Sequence, residues 1–199
     1  LDFETMNFAV PRWAGTRPYQ QVPFQWSCHI ETAPGRVVHV EFLDVSGADP
    51  RRACAEQLVA ALRGVRVVLV YSAAFERGRM QELADSFPDF AGPIQDAIDR
   101  IFDLLPLVRQ CYYHREMRGS YSLKAVLPTI LKEDPYAALE AVRNGAGAQL
   151  AYIEALDPAL PAARRGVLEE QLRAYCRIDS WAMIALARFL EGRPVPAAP

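Results

Sequence analysis

Two carboxylates flank a single aromatic residue in the pentapeptide Leu1-Asp2-Phe3-Glu4-Thr5. If this segment is a β-strand, its side chains alternate between faces, so Asp2 and Glu4 share one face and Phe3 enters a core on the other. Like charges adjacent on a sheet face repel. Solvation of a frayed strand relieves that repulsion, and so does a divalent cation. The pentapeptide alone leaves both readings open. The far end of the chain shifts the balance toward the cation.

Beyond Thr5 the chain is irregular to Pro23, through Gly15-Thr16-Arg17-Pro18-Tyr19. A long irregular segment in a compact domain is usually functional. Phe24 to Thr32 and Val37 to Leu43 read as strands joined by the turn Ala33-Pro34-Gly35-Arg36. Asp49-Pro50 opens a helix to about Leu62, with Asp49 as N-cap. Val65 to Tyr71, rich in β-branched residues, fits a strand covered on both faces. Helices are expected from Phe75 to Ser86, where Pro88 stops the first, and from Pro93 to Arg100. Ile101-Phe102-Asp103 forms a short fifth strand, and helices follow over 104–112, 123–131 (capped by Ser122), 136–142, 146–156 and 163–191. Asn144-Gly145-Ala146-Gly147 follows a helix rather than a strand, and so reads as a C-cap and turn, not a phosphate loop. The expected class is α/β, a mixed sheet of five strands, the first three antiparallel, flanked by helices. Residues 1–193 form one domain, and 194–199 form a tail.

The 199 residues suffice for one substantial core. A net charge of −2 gives no overall basic footprint, so nucleic-acid binding would depend on a local patch. Cys28, Cys54, Cys111 and Cys176 are widely spaced, which fits reduced thiols in a cytoplasmic protein better than a zinc site. His29, His39 and His114 are scattered, and structural roles are expected. No apolar run is long enough for a membrane span. The chain opens inside a strand without Met, so it is expected to be part of a longer protein.

On the last helix, Leu168, Leu172, Met183, Leu186 and Leu190 form one stripe at about 100° per residue. Tyr175 and Asp179 lie within it, one turn apart. An ionised Asp in a buried stripe is costly unless it is paired or metal-bound.

Asp2-x-Glu4 on a first strand, with Tyr175-x-x-x-Asp179 on a late helix, resembles the DEDD superfamily of 3′–5′ exonucleases in its tyrosine variant. Between these motifs that superfamily commonly has Asn-x-x-Phe-Asp after the central strand. Here Ser72-Ala73-Ala74-Phe75-Glu76 stands in that place, with Ser for Asn and Glu for Asp. Ile101-Phe102-Asp103 and Ser120-Tyr121-Ser122-Leu123-Lys124 resemble the stretch before the last motif. The run from Leu1 to His29, with Gly15-Thr16-Arg17-Pro18-Tyr19 and Pro23-Phe24-Gln25, is similar to an uncharacterised bacterial family of unknown function.

The resemblance implies an RNase H-like fold and hydrolysis of nucleic-acid phosphodiesters from a 3′ end, on DNA or RNA. It implies two Mg²⁺ or Mn²⁺ ions, about 3.5–4 Å apart in such sites. Asp2, Glu4, Glu76 and Asp179 would be the ligands, and hard oxygen donors suit these ions. Tyr175 would orient or deprotonate the attacking water. Asp103 would support the ligands or replace one, or only cap the following helix. Arg17, Tyr19, Tyr121 and Lys124 would contact phosphate or stack on a base. Two alternatives stand beside this reading: a degenerate RNase H-like module that binds nucleic acid or partner domains, and an unrelated α/β protein whose acids are structural.

Overall fold

Ala33-Pro34-Gly35-Arg36 closes a long hairpin, with Gly35 at φ +80°, a conformation that favours glycine. In the computed structural model, which describes residues 1–131, 134–137, 139, 142 and 144–197, the hairpin strands are β2 (Val22–Ala33) and β3 (Arg36–Leu43). Strand β1 (Asp2–Met6) pairs antiparallel with β2, giving a three-stranded sheet in the order β1-β2-β3. Helix α1 (Arg51–Ala61) leads to β4 (Val68–Val70), and helices α2 (Ala74–Ser86) and α3 (Pro88–Asp99) lead to β5 (Ile101–Asp103). Strands β4 and β5 pair parallel as a separate two-stranded ladder. Among the described residues four further α-helices follow: α4 (Leu104–Cys111), α5 (Leu123–Leu131), α6 (Gly145–Ala155) and α7 (Ala162–Leu190).

The class is mixed α/β, with the first three of five strands antiparallel. The single continuous sheet expected from the sequence is instead two ladders. They share one core, and the Leu1 nitrogen donates to the Leu69 carbonyl at 2.9 Å. The fourth strand is also shorter than expected. Val67 is 54% exposed and lies outside it, because β5 offers only three residues to pair with.

A β-bulge sends residues of the same parity on β2 into different cores. Glu4 lies opposite Gln25 but Thr5 lies opposite Pro23, leaving Phe24 as the extra residue. Before the bulge, Leu1 and Phe3 share a core with Trp26, Cys28 and the helices α1 to α3. After it, Met6, Val22 and Phe24 join a second core against α6 and α7. Phe24 stacks on Tyr152 there, ring centroids 3.8 Å apart. A third cluster joins α4, α5 and the end of α7 through Leu104, Val126 and Leu186.

Other boundaries move for local reasons. Pro88 holds Phe87 extended, which ends α2, and then serves as the first residue of α3. That helix therefore starts before Pro93, which lies inside it. Asp49 accepts the Arg51 N–H at 3.1 Å, so it satisfies the start of α1 from one residue further out than expected. Asn144 is an N-cap, not a C-cap: its side chain accepts the Gly147 N–H at 2.9 Å and starts α6. Residues 135–137, 139 and 142 are not helical, and the rest of the helix expected over 136–142 lies outside the described residues. Buried Arg51 donates to the Ala14 carbonyl and to the Asp49 carboxylate, pinning the irregular β1–β2 connection to α1.

Candidate functional site

Strand alternation sends Phe3 into the α1–α3 core and turns Asp2 and Glu4 toward α7. Facing them, the helical repeat of α7 presents Tyr175, Cys176, Asp179 and Ser180, all buried. Asp2, Glu4 and Asp179 each offer a carboxylate oxygen, and these atoms lie within 4.8 Å of one another. The three acids line a cleft of about 280 Å³ with Glu76, Lys124, Tyr175 and the apolar side chains of Phe75, Leu123 and Met183. Four acids from three distant parts of the chain thus share one cavity.

Glu76 is only 3% exposed, and its Oε2 has no hydrogen-bond partner. An orphaned buried carboxylate oxygen is costly. Its position depends on Asp103. The Asp103 carboxylate accepts the N–H groups of Ser72, Ala73 and Leu105, each at 2.9 Å. It therefore caps α4 and also clamps the turn from β4 into α2. Ser72 is held there at φ +74°, a left-handed conformation unfavourable for a residue with a Cβ. That turn starts the helix that carries Glu76. Asp103 does not line the cleft, and its role is to place the residue that does.

The acids are electrostatically strained. Burial, then Asp179, push Glu4 up to about 8, while Lys124 opposes the shift. Burial lifts Asp2 well above its usual range, with Asp179, Glu4 and Glu76 adding to it. Burial likewise lifts Glu76, to about 7. For Asp179 burial raises the pKa, and Lys124 and hydrogen bonds from Tyr136 and Tyr175 offset it. Burial and the Asp179 charge push the Tyr175 hydroxyl far above the ordinary phenol range, which suits it to orient a water rather than deprotonate one. Donors of this kind fit a hard divalent cation, whose charge would relieve the repulsion among them.

Lys124 reaches in from the first turns of α5. Its Nζ donates to the Tyr175 hydroxyl, lies 3.9 Å from Asp179 Oδ2, and sits 4.5 Å from the Tyr175 ring centroid. Of the four residues expected to contact nucleic acid, Lys124 alone lines the cleft. Arg17 pairs with Glu82 on α2 at 2.9 Å. Tyr19 is 69% exposed at φ +58°. Tyr121 stands at the cleft's edge, its carbonyl accepting the hydroxyl of cleft-lining Tyr71 at 2.6 Å.

Two participants carry no clear sequence signal. Tyr136 donates its hydroxyl to Asp179 Oδ1. The preceding Asp134-Pro135 marks a turn but does not aim the ring. Cys176 Sγ lies 3.6 Å from Asp2 Oδ2, a contact implied only once β1 and α7 are known to meet. His29 is structural: its Nδ1 and Ser27 Oγ both bond Ser180 Oγ, at 2.8 and 2.7 Å, tying β2 to α7.

A curated relative, the uncharacterized protein UU173 of Ureaplasma parvum serovar 3 (strain ATCC 700970), is 26% identical over 213 residues. The match covers 96% of this chain but 31% of that relative's length. No solved structure matches. Among the described residues, no helix is long and apolar enough to cross a membrane. The family model described as Domain of unknown function (DUF2779) matches residues 1–122, which include Asp2, Glu4, Glu76 and Asp103, while Lys124, Tyr136, Tyr175 and Asp179 lie beyond the match. With more than half its length matched, the chain belongs to the DUF2779 family.

Proposed function

We propose that this domain is a metal-dependent nuclease that hydrolyses nucleic-acid phosphodiesters from a 3′ end, within an RNase H-like arrangement. The observation that carries the reading is the convergence of Asp2, Glu4 and Asp179 oxygens within 4.8 Å, from opposite ends of the chain. Support for the fold comes from three antiparallel strands followed by a parallel pair, with the Leu1–Leu69 hydrogen bond joining β1 to β4.

Asp2, Glu4 and Asp179 would hold Mg²⁺ or Mn²⁺, with Glu76 contributing its unpartnered oxygen from α2. Bound as a pair, such ions supply an activated water and charge stabilisation for the attacking and leaving oxygens. Tyr175 orients the water through its hydroxyl. Lys124 supplies a positive charge at the cleft wall, beside Asp179, where a substrate phosphate would enter. Tyr136 and Asp103 hold Asp179 and the Glu76 turn in place.

Two observations favour the degenerate module instead. Glu76 is not among the three acids whose oxygens converge, and Lys124 already partly neutralises Asp179. The test is incubation with Mn²⁺ and a 5′-labelled single strand. A ladder shortening from the 3′ end, lost in Asp2→Ala and Asp179→Ala, supports the nuclease. A protein that binds the strand without shortening it is the degenerate module.

A further inference from the structure

The chain is acidic overall, yet one segment reverses that sign. Between Arg109 and Lys124 it carries Arg109, Arg115, Arg118 and Lys124 against Glu116 alone, a local net charge of +3 in a chain of net charge −2. Tyr112, Tyr113 and Tyr121 are interleaved with these cations. Tyr112 is used internally, bonding Thr129 at 2.9 Å and packing edge-on against Phe189. Tyr113 points outward and is 59% exposed. Its ring lies 6.3 Å from that of Tyr121, and the Arg109 guanidinium lies 5.9 Å from the Tyr121 ring centroid. Arg109 has no ion-pair partner among the described residues.

This surface is held in place and adjoins the cleft. Buried Met117 anchors the segment, its carbonyl accepting the Ser120 N–H at 2.8 Å. The Tyr71 hydroxyl fixes the Tyr121 carbonyl, and Ser122, Leu123 and Lys124 run directly into the cleft wall. Burial pushes the Tyr71 hydroxyl up to about 12, and the nearby Arg109 charge opposes the shift. Arg109 lies over the ring of Tyr121, whose carbonyl holds cleft-lining Tyr71, and so stands beside the cleft.

We propose that the β5–α5 connection is a nucleotide-binding subsite beside the acid cleft, holding the next residue of a single-stranded DNA or RNA, its base on Tyr113 and Tyr121 and its phosphate on Arg109. The proposal rests on the reading of the cleft as a nuclease site for which strand enters it. The binding itself requires no hydrolysis. Aromatic rings stack on any base, and unpaired cations track the backbone. Such binding is salt-sensitive, because each neutralised phosphate releases counterions.

The test is fluorescence anisotropy with labelled dT and rU dodecamers in EDTA, where no hydrolysis occurs. Tyr113→Ala and Arg109→Ala should each weaken binding about ten-fold, with melting temperatures unchanged. Tyr113→Phe should retain binding, because the ring and not the hydroxyl does the stacking. Arg109→Ala should lower the dependence of log K on log salt by about 0.7. Arg164→Ala, in an exposed pair with Glu154 on another surface, should change nothing. Equal affinity in Tyr113→Ala, Arg109→Ala and wild type, or no binding of either dodecamer by wild type, overturns the proposal. Hydrolysis of bis(p-nitrophenyl) phosphate with Mn²⁺ is scored separately: its absence, with binding intact and lost in the variants, removes the nuclease reading and leaves the subsite standing.

Discussion

The hydroxyl of Tyr136 donates to Oδ1 of Asp179, so a phenol from outside α7 sets the orientation of that helix's buried acid. The Tyr136 ring also lies 6.2 Å from that of Tyr175 and 5.3 Å from Lys124 Nζ. Two phenols and an ammonium therefore surround a single carboxylate.

Tyr136→Phe removes that donor while keeping the ring. A buried carboxylate oxygen left without its partner costs about 1–3 kcal/mol. Urea denaturation of the metal-free protein should show a loss in that range. Mn²⁺ affinity, read by titration calorimetry, should fall with it. An unchanged denaturation midpoint would mean that the Asp179 oxygen finds another donor.

Asp103→Ala removes acceptors from three backbone N–H groups and the cap of α4. A destabilisation of about 2 kcal/mol is expected, the size of a strong helix cap. Ser72 then loses what holds its left-handed backbone, and the turn before Glu76 relaxes. Hydrogen exchange should rise first at the amides of 72–76. Uniform exchange across the chain would count against a local clamp.

The metal-free protein should lose stability as pH rises from 6.5 to 8. Glu4, with a folded-state pKa of about 8, and Glu76, with about 7, keep protons that an unfolded chain has released above its value of 4.5. Their contribution is complete below 4.5 and is lost as pH rises through 7 to 8. His29 acts with the opposite sign. Burial, then His39, lower it to about 4, so its contribution is complete above 6.5 and lost as pH falls toward 4. Above pH 6.5 the carboxylates act alone. Urea midpoints at pH 6.5 and 8 in EDTA should fall, and Glu4→Gln should flatten the fall.

Mn²⁺ should raise the melting temperature, with about 2.7 kcal/mol of stabilisation at a hundred times Kd. The gain should be larger at pH 8 than at pH 6, because the ligands must shed protons to bind. Asp2→Ala and Asp179→Ala should abolish it. Glu76→Asp should preserve or raise nuclease activity. Complete loss in that variant would show that the longer side chain of Glu76 is required.

The grouping within each half was legible because each obeys a simple repeat, while the meeting of the two halves was implied only by the resemblance. Alternation places Asp2 and Glu4 on one face of a strand, and the helical turn places Tyr175 beside Asp179. The hairpin and α7 were legible for the same reason. The bulge at Phe24 was not, since the strand pattern reads the same with or without one extra residue. The division into two ladders escaped as well: Val65 to Tyr71 has strand composition throughout, but only Val68 to Val70 find partners on β5. The bond of Tyr136 to Asp179 and those of Asp103 to Ser72 and Ala73 are long-range, and such bonds leave no periodic trace.

Asp2 and Glu4 precede Asp179 by nearly the full length of the chain, with α7 supplying the last acid of the cluster. A chain emerging from the ribosome presents its first carboxylates long before their counterpart has been made. The cluster of three oxygens therefore assembles only after α7 has been made. A product truncated before α7 keeps the whole of the DUF2779 match yet has no third oxygen to offer.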